Sequence, residues 1–227
     1  REHGPGGGTR RGVAVMPICF GISFTNTMLN QAGALVHVYT DGSVGVATGA
    51  VEMGQGVNRK LQRIVARTLG VGPERVRLET TNTTRVANTS PTAASTGADL
   101  NGMAARLACQ QILARLRPVA ARLLGERVHA GERPTDLGWN DLVAAAYRAR
   151  VDLAAHAHYA TPRLHFDPRT ERGRPFAYHV YGTAVVEVTL DVLRGTSTVD
   201  AVRLVHDVGR SLDPEVDRGQ IEGAVAQ

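Results

Sequence analysis

The sequence predicts an α+β fold, with mixed and antiparallel sheets against packed helices. Two hairpin patterns support this. Ala34 to Val46 alternates apolar and polar positions around an Asp41-Gly42 turn, and Gly182 to His206 does the same around Asp191 to Gly195. Single helical stretches stand between the strand runs without the regular alternation of a doubly wound parallel sheet. Two loops also share one plan, each lying between a strand-like run and a helix start. The first is Thr48-Gly49-Ala50-Val51-Glu52-Met53-Gly54-Gln55-Gly56, and the second runs from Thr80 to Ser95.

Residues 1–11 are Gly-rich and basic and read as a linker or the tail of an upstream segment. Residues 12–227 read as one region, cut short at the C-terminus, with a possible sub-boundary near 125–138. Gly12 to Phe24 is strand-like, Asn30 to Gly33 is a turn-like break, and the first hairpin follows. Leu61, Ile64, Val65 and Leu69 recur at helical spacing, with Gly70 as the stop. Arg75 to Thr80 is a short strand. Beyond the second loop, Ala104, Leu107, Ala108, Ile112 and Leu116 form one face of a long helix, which Pro118 should kink or end. A weaker helical piece reaches Gly125, and residues 125–138 form a polar loop. Asn140 to Arg150 is a further amphipathic helix, and Ala160 to Pro175 is irregular. After the second hairpin, Asp213-Pro214 turns the chain into a helix from Asp217. The sequence stops inside that apolar pattern, as expected of a fragment.

Composition narrows the function. The 227 residues are 43% hydrophobic and 21% charged, ordinary for a globular protein large enough to bury a core. No apolar run is long enough to span a bilayer, and the N-terminus lacks the apolar region of a signal peptide, so a cytoplasmic protein without membrane contact is expected. Cys19 and Cys109 are far apart without metal-ligand spacing; both read as buried thiols in a reducing compartment. The net charge of +5 does not indicate nucleic acid, because the arginines are scattered and only 4% of residues are aromatic. Of 26 basic residues only Lys60 is a lysine, a bias of GC-rich coding rather than of a binding surface.

The loops carry the chemistry. A strand, a small-residue loop and a helix start together aim backbone N–H groups at an anion. Gly54 and Gly56 allow close approach, and the Gln55 amide can donate and accept. Glu52 sits badly beside a phosphate and is expected to turn away or pair with an arginine. In the second loop Thr89, Ser90, Thr92 and Ser95 supply four hydroxyls, more than helix capping needs, and Ala93-Ala94 leave the backbone accessible. A tight strand-to-helix connection would explain either loop alone. Two within fifty residues point to a pocket for a phosphorylated, heavily hydrogen-bonding cofactor. His156 and His158 lack further ligands at metal spacing. His206 and Asp207 face opposite ways on a strand. No nucleophile motif or phosphate-binding P-loop occurs.

Several runs resemble the molybdopterin-binding part of xanthine dehydrogenases. They are Phe20 to Thr25, Leu29 to Ala34, His37 to Val44, Glu52-Met53-Gly54-Gln55-Gly56, Pro91 to Gly97, Asp99 to Gly102, His206 to Leu212 and Gly219 to Ala224. The similarity runs in order from about Arg11 to the last residue, and Phe24-Thr25 favours the xanthine branch over aldehyde oxidases. The resemblance implies the fold of the molybdenum cofactor-binding domain and oxidation of hypoxanthine and xanthine to urate. It also implies electron flow through 2Fe-2S clusters and FAD, on a partner domain or subunit, to NAD. The implied assembly is a dimer of heterodimers of a bacterial enzyme.

By the same resemblance, Met53, Gly54 and Gln55 contact the pterin or its phosphate. Thr92, Ala93, Ala94 and Ser95 form a second wall, with the Ala94 backbone near the metal, and Gln220 approaches from the last helix. Phe24 stacks on the purine and Thr25 hydrogen-bonds it. The family's glycine loops are absent, and its catalytic glutamate, in a Gly-Glu-Pro-Pro run, is expected beyond Gln227, so no catalytic residue is assigned and this segment alone should be inactive. Ala50-Val51 and Arg218 depart from the family pattern, and Arg218 is expected to disturb the packing of the last helix. Other outcomes of the resemblance are a hydroxylase of aldehydes or other N-heterocycles, or an inactive truncated paralogue that only binds a partner subunit.

Overall fold

The computed structural model describes residues 8–129 and 137–226. Its elements are β1 (Thr9–Ile22), β2 (Gln31–Val38), β3 (Val44–Thr48), α1 (Val57–Leu69), β4 (Val76–Leu78), α2 (Gly97–His129), α3 (Trp139–Arg148), β5 (Ala154–Ala160), β6 (His165–Asp167), β7 (Arg172–Arg174), β8 (Tyr178–Asp191), β9 (Thr196–His206) and α4 (Pro214–Ala226). The class is α+β, as expected. The chain divides into two compact units, one made of residues 8–22 and 178–211 and the other of 23–177 and 212–226. The boundaries between the units fall between Ile22 and Ser23, between Ala177 and Tyr178, and between Ser211 and Leu212. Residues 125–129 close α2, and 130–136 lie outside the described residues.

The larger unit is built on a four-stranded sheet of order β4-β3-β2-β5. Strands β2 and β3 form the expected hairpin, with Val36 opposite Val46. Its turn closes through Gly42 N–H to Tyr39 O and Tyr39 N–H to Ser43 O, while Asp41 Oδ1 accepts from the Ser43 amide and hydroxyl. Strand β4 returns parallel to β3 after α1, so the sheet is mixed. The helical spacing read from the sequence marks the buried faces: Leu61 and Val65 on α1, and Ala104, Ala108, Ile112 and Leu116 on α2, all at most 1% exposed. With Val36, Val44 and Val46 from the sheet and Val143 and Ala146 from α3, most of these form one core. Gly70, at φ 73°, stops α1 by directing its N–H to Ala66 O.

Two expectations about this unit change. Helix α2 runs without a break for 33 residues through Pro118, which does not end it. Proline removes one backbone bond at about 3 kcal/mol. Leu116 and Val119 on either side of it are buried, and their burial offsets that cost. Residues 160–175, expected to be irregular, contain a small hairpin in which Phe166 of β6 faces Gly173 of β7.

The smaller unit is an antiparallel sheet of order β1-β8-β9. Thr9, Arg10 and Arg11 belong to β1, paired with Asp191, Leu190 and Thr189, and not to a linker ending at residue 11. The 14-residue ladder with β8 holds them although their composition is loop-like; residues 1–7 of the expected linker lie outside the described residues. Both faces of β1 present exposed apolar side chains, with Val13 and Val15 on one and Met16 and Ile18 on the other. Cys19 shares this exposure, contrary to its expected burial, whereas Cys109 is buried in the helical core. That burial pushes the Cys109 thiol up to about 12, leaving it protonated and unreactive. Among the described residues no helix is long and apolar enough to cross a membrane.

Gly42 carries the hairpin turn at φ 83°, and a Cβ there would meet Asn140 Oδ1 at 2.4 Å and Trp139 Cδ1 at 3.1 Å. Gly42→Ala should cost more than about 1 kcal/mol of stability, read as a lower denaturant midpoint with unchanged slope.

Candidate cofactor-binding site

Helix α1 begins at Gly56, in left-handed conformation at φ 74°, with no side-chain cap and no acidic residue in its first turn. Its leading amides therefore need an acceptor from elsewhere. Glu52 supplies it. Its Oε1 accepts from Gly54 N–H (3.0 Å) and Gly56 N–H (2.9 Å), and its Oε2 from Asn58 N–H (3.0 Å). The anion held by this loop is thus the protein's own carboxylate, and Glu52 neither turns away nor pairs with an arginine. Burial alone would raise its pKa, but the amides of Asn58, Gly56 and Gly54 outweigh that and hold the carboxyl below its ordinary range.

The Gln55 side chain is also engaged within the loop. Its Oε1 accepts from Met53 N–H (2.6 Å) and its Nε2 donates to Val51 O (2.9 Å). One Nε2 hydrogen remains for another acceptor. Met53 projects outward at 67% exposure. A Cβ built on Gly54, at φ 100°, would meet no atom within 4 Å.

The second loop is laid directly against the first. Val51 N–H donates to Thr92 Oγ1 (3.0 Å), and Thr81 Oγ1 donates to Ala50 O (2.7 Å). A Cβ on Gly49 would stand 2.0 Å from Thr89 Oγ1 and 2.7 Å from its Cβ, so the close approach of the loops requires glycine there. Val86, buried, anchors the second loop beside Gly33 of β2. Thr89 and Thr92 thus join the loops, while among the described residues the hydroxyls of Ser90 and Ser95 donate to no protein acceptor.

Ala94 and Ser95 are both left-handed, at φ 52° and 57°, an uncommon pair outside glycine. Thr96 steadies the turn by directing its amide and hydroxyl to Ala93 O, and its own carbonyl accepts the Leu100 N–H at the start of α2. One turn on, Asn101 Nδ2 donates to Gly97 O, while Asn101 Oδ1 is buried without a donor among the described residues.

Helix α4 completes the group. Asp213, fully buried, lies 2.8 Å from Arg59 Nε and 3.4 Å from Arg63 Nη2, and Lys60 Nζ meets Asp217 Oδ1 at 2.6 Å. These pairs fasten α4 along α1, with Val216 seated on Gly56, where an added Cβ would lie 2.5 Å from Val216 Cγ1. Gln220 Nε2 then reaches Gly54 O (3.3 Å). Arg218 does not disturb this packing; it lies exposed and pairs with Glu222 one turn along (2.7 Å).

The structure brings Met53, Gly54, Gln55, Thr92, Ala93, Ala94, Ser95 and Gln220 onto one interlocked group of loops and helix. Phe24 and Thr25 stand apart from that network. The Phe24 main chain is clasped by Asn30, which accepts its N–H (2.8 Å) and donates to its carbonyl (2.9 Å), and among the described residues no hydrogen bond joins Phe24 or Thr25 to either loop. His158 Nε2 lies 3.0 Å from Gln31 Oε1, and no group of three potential metal-ligating side chains occurs among the described residues. Sequence reasoning misread Glu52 and missed the contacts made at Gly49, Thr81 and Asp213. The missing first-turn acid of α1 was a signal for Glu52, and Asp before Pro at a helix start was a signal for Asp213.

The family described as molybdopterin cofactor-binding domain matches residues 1–227. The chain is 45% identical over 219 residues to a xanthine dehydrogenase/oxidase of Gallus gallus, covering 96% of this chain and 15% of that protein. It is 44% identical over 218 residues to a xanthine dehydrogenase of Oryza sativa subsp. japonica, with the same coverage. The chain therefore spans about 15% of the length of the curated relatives it matches. Among solved structures, the aldehyde oxidoreductase of Desulfovibrio gigas has a TM-score of 0.77 at 24% identity, covering 97% of this chain and 23% of that one. A Cu,Mo-CO dehydrogenase has a TM-score of 0.76 at 18% identity, covering 95% and 28%. At these identities the two structures speak for the fold.

Asp213→Ala should destabilise the protein by about 1–2 kcal/mol, less than the 3–5 of a fully buried pair, because Arg59 and Arg63 both reach solvent. Protease sensitivity of α4 should rise with it. Because the folded Glu52 carboxyl ionises below its ordinary 4.5, its stabilisation is complete above that pH and fades as pH falls through the folded value. Denaturation of wild type and Glu52→Gln across pH should show a constant gap above 4.5 that narrows below it.

Proposed function

The chain belongs to the molybdopterin cofactor-binding domain family, and on that premise we propose that it is part of a molybdenum hydroxylase that oxidises hypoxanthine and xanthine to urate. The observation that carries this reading is the apposition of the two loops through Val51 and Thr92, with Gln220 delivered to Gly54. The residues fit such a cofactor. Gly54 leaves open space above the loop, the Ser90 and Ser95 hydroxyls are free to donate, and left-handed Ala94 and Ser95 present backbone without bulky side chains. Sequence similarity to proteins named xanthine dehydrogenase favours a purine substrate.

When bound, the molybdenum–pterin group supplies the two-electron redox centre. This chain's part is to bind and orient. Met53, Gly54 and Gln55 form one wall, with the spare Nε2 hydrogen of Gln55 and the Gln220 amide offered to pterin or phosphate oxygens. Thr92, Ala93, Ala94 and Ser95 would form the other, with the Ala94 backbone on the side that would face the metal. Phe24, its main chain held by Asn30, stacks on the purine, and the exposed Thr25 hydroxyl hydrogen-bonds it. In the complete protein the redox partners would be 2Fe-2S clusters and FAD on a partner domain or subunit, with NAD as acceptor, in a dimer of heterodimers. A cytoplasmic location suits that acceptor.

Steady-state assay of the complete protein with its partner should give urate from xanthine with reduction of NAD; turnover of aldehydes with none of purines overturns the substrate assignment. Gly49→Val should force the loops apart and lower bound molybdenum several-fold in metal analysis, while an equally loaded variant would contradict the two-wall site.

A further inference from the structure

We propose that Glu52 is a positioning residue for the cofactor loop: by occupying the amides of Gly54, Gly56 and Asn58 it holds Met53, Gly54 and Gln55 in binding geometry before any cofactor arrives. The inference rests on the functional reading above and adds a residue to it. A bare strand-to-helix loop with two left-handed glycines has large conformational freedom, lost again whenever a ligand orders it. Here Glu52 removes that freedom from within. Three side chains (Thr92, Gln55 and Glu52) together satisfy the amides of Val51, Met53, Gly54, Gly56 and Asn58. The carboxylate also takes the place at the α1 N-terminus that a free anion would otherwise fill. A phosphate held at this site must therefore be bound by what Glu52 leaves open: the outer face of the loop at Gly54, the Gln55 and Gln220 amides, and the hydroxyls across from them.

The residue acts through the loop and touches no reacting atom. Glutamine at position 52 keeps an acceptor for Gly54 and Gly56 but faces Asn58 N–H with a second donor. Alanine removes all three bonds. Loop order and cofactor retention should follow the sequence wild type, Glu52→Gln, Glu52→Ala.

The test uses the complete protein with its partner. Molybdenum and pterin per subunit are measured after purification and again through prolonged dialysis, and turnover is expressed per bound molybdenum. Glu52→Ala should lose cofactor about tenfold faster than wild type, the consequence of losing charge-assisted hydrogen bonds that order the loop. Glu52→Gln should lose cofactor at a rate between those of wild type and Glu52→Ala. Gly42→Ala, which weakens a hairpin turn outside the loops, serves as the control for general destabilisation and should retain cofactor normally. Wild-type and Glu52→Ala proteins that hold cofactor equally well overturn the inference and leave the functional reading intact. So does loss in Gly42→Ala equal to that in Glu52→Ala. A wild-type protein purified without molybdopterin overturns the functional reading and the inference together.

Discussion

The first amides of α1 point out of the helix with nothing in their own turn to accept them, and the arrangement of the site follows from how that need is met. A helix beginning on glycine has no side-chain cap, and this one has no acid in its first turn. Glu52 must therefore fold back over Gly54 and Gly56, which only left-handed glycines permit. Folding back draws Met53 to Gln55 into a tight bend whose outer face is left open. It also orients Val51 so that its amide is presented sideways, to Thr92 of the second loop. One helix-capping problem, solved by a residue four positions before the cap, thus sets both the shape of the first loop and its link to the second.

Helix α4 is held to the same place by charge. Asp213 is buried between two arginines of α1, and Asp217 meets the lysine between them, so successive turns of α4 are registered against successive positions of α1. Such pairs add little net stability, because desolvation offsets most of the attraction. Their use here is registry. Sliding α4 by a turn would leave Asp213 buried without a partner, and only in the observed register does Val216 sit over Gly56 with Gln220 one turn further, at Gly54.

What could be read from the sequence follows from the range of the interactions involved. The hairpin at Asp41-Gly42, the faces of α1 and α2 and the stop at Gly70 are local patterns of period two or 3.6, and the structure has them in place. The run through Pro118 could not be read, because a residue that breaks an isolated helix is overruled by burial of its neighbours in a core not yet assembled. The loops were recognisable as a matched pair from their small residues. Their mode of joining was not. The void at Gly49 that admits Thr89 and the contact of Thr81 with Ala50 depend on which segments meet, and no periodicity encodes that. Glu52 was visible but misread, since a carboxylate beside a supposed phosphate loop suggests repulsion until its three amide donors are located.

The two loops reach a similar end by opposite means. The first is relaxed: its unusual dihedrals fall on Gly54 and Gly56, where left-handed backbone carries no steric penalty, and its donors are satisfied internally. The second is strained. Ala94 and Ser95 are consecutive left-handed residues with side chains, at about 1–3 kcal/mol for each such conformation. Glycine at either position would relieve the strain but widen the range of conformations open to the turn. Alanine and serine narrow that range, and the double contact of Thr96 with Ala93 O holds the turn where α2 begins. The result is a backbone segment that is exposed yet confined, beside a hydroxyl free to donate. The strain is sustained by the burial of α2, the longest helix among the described residues.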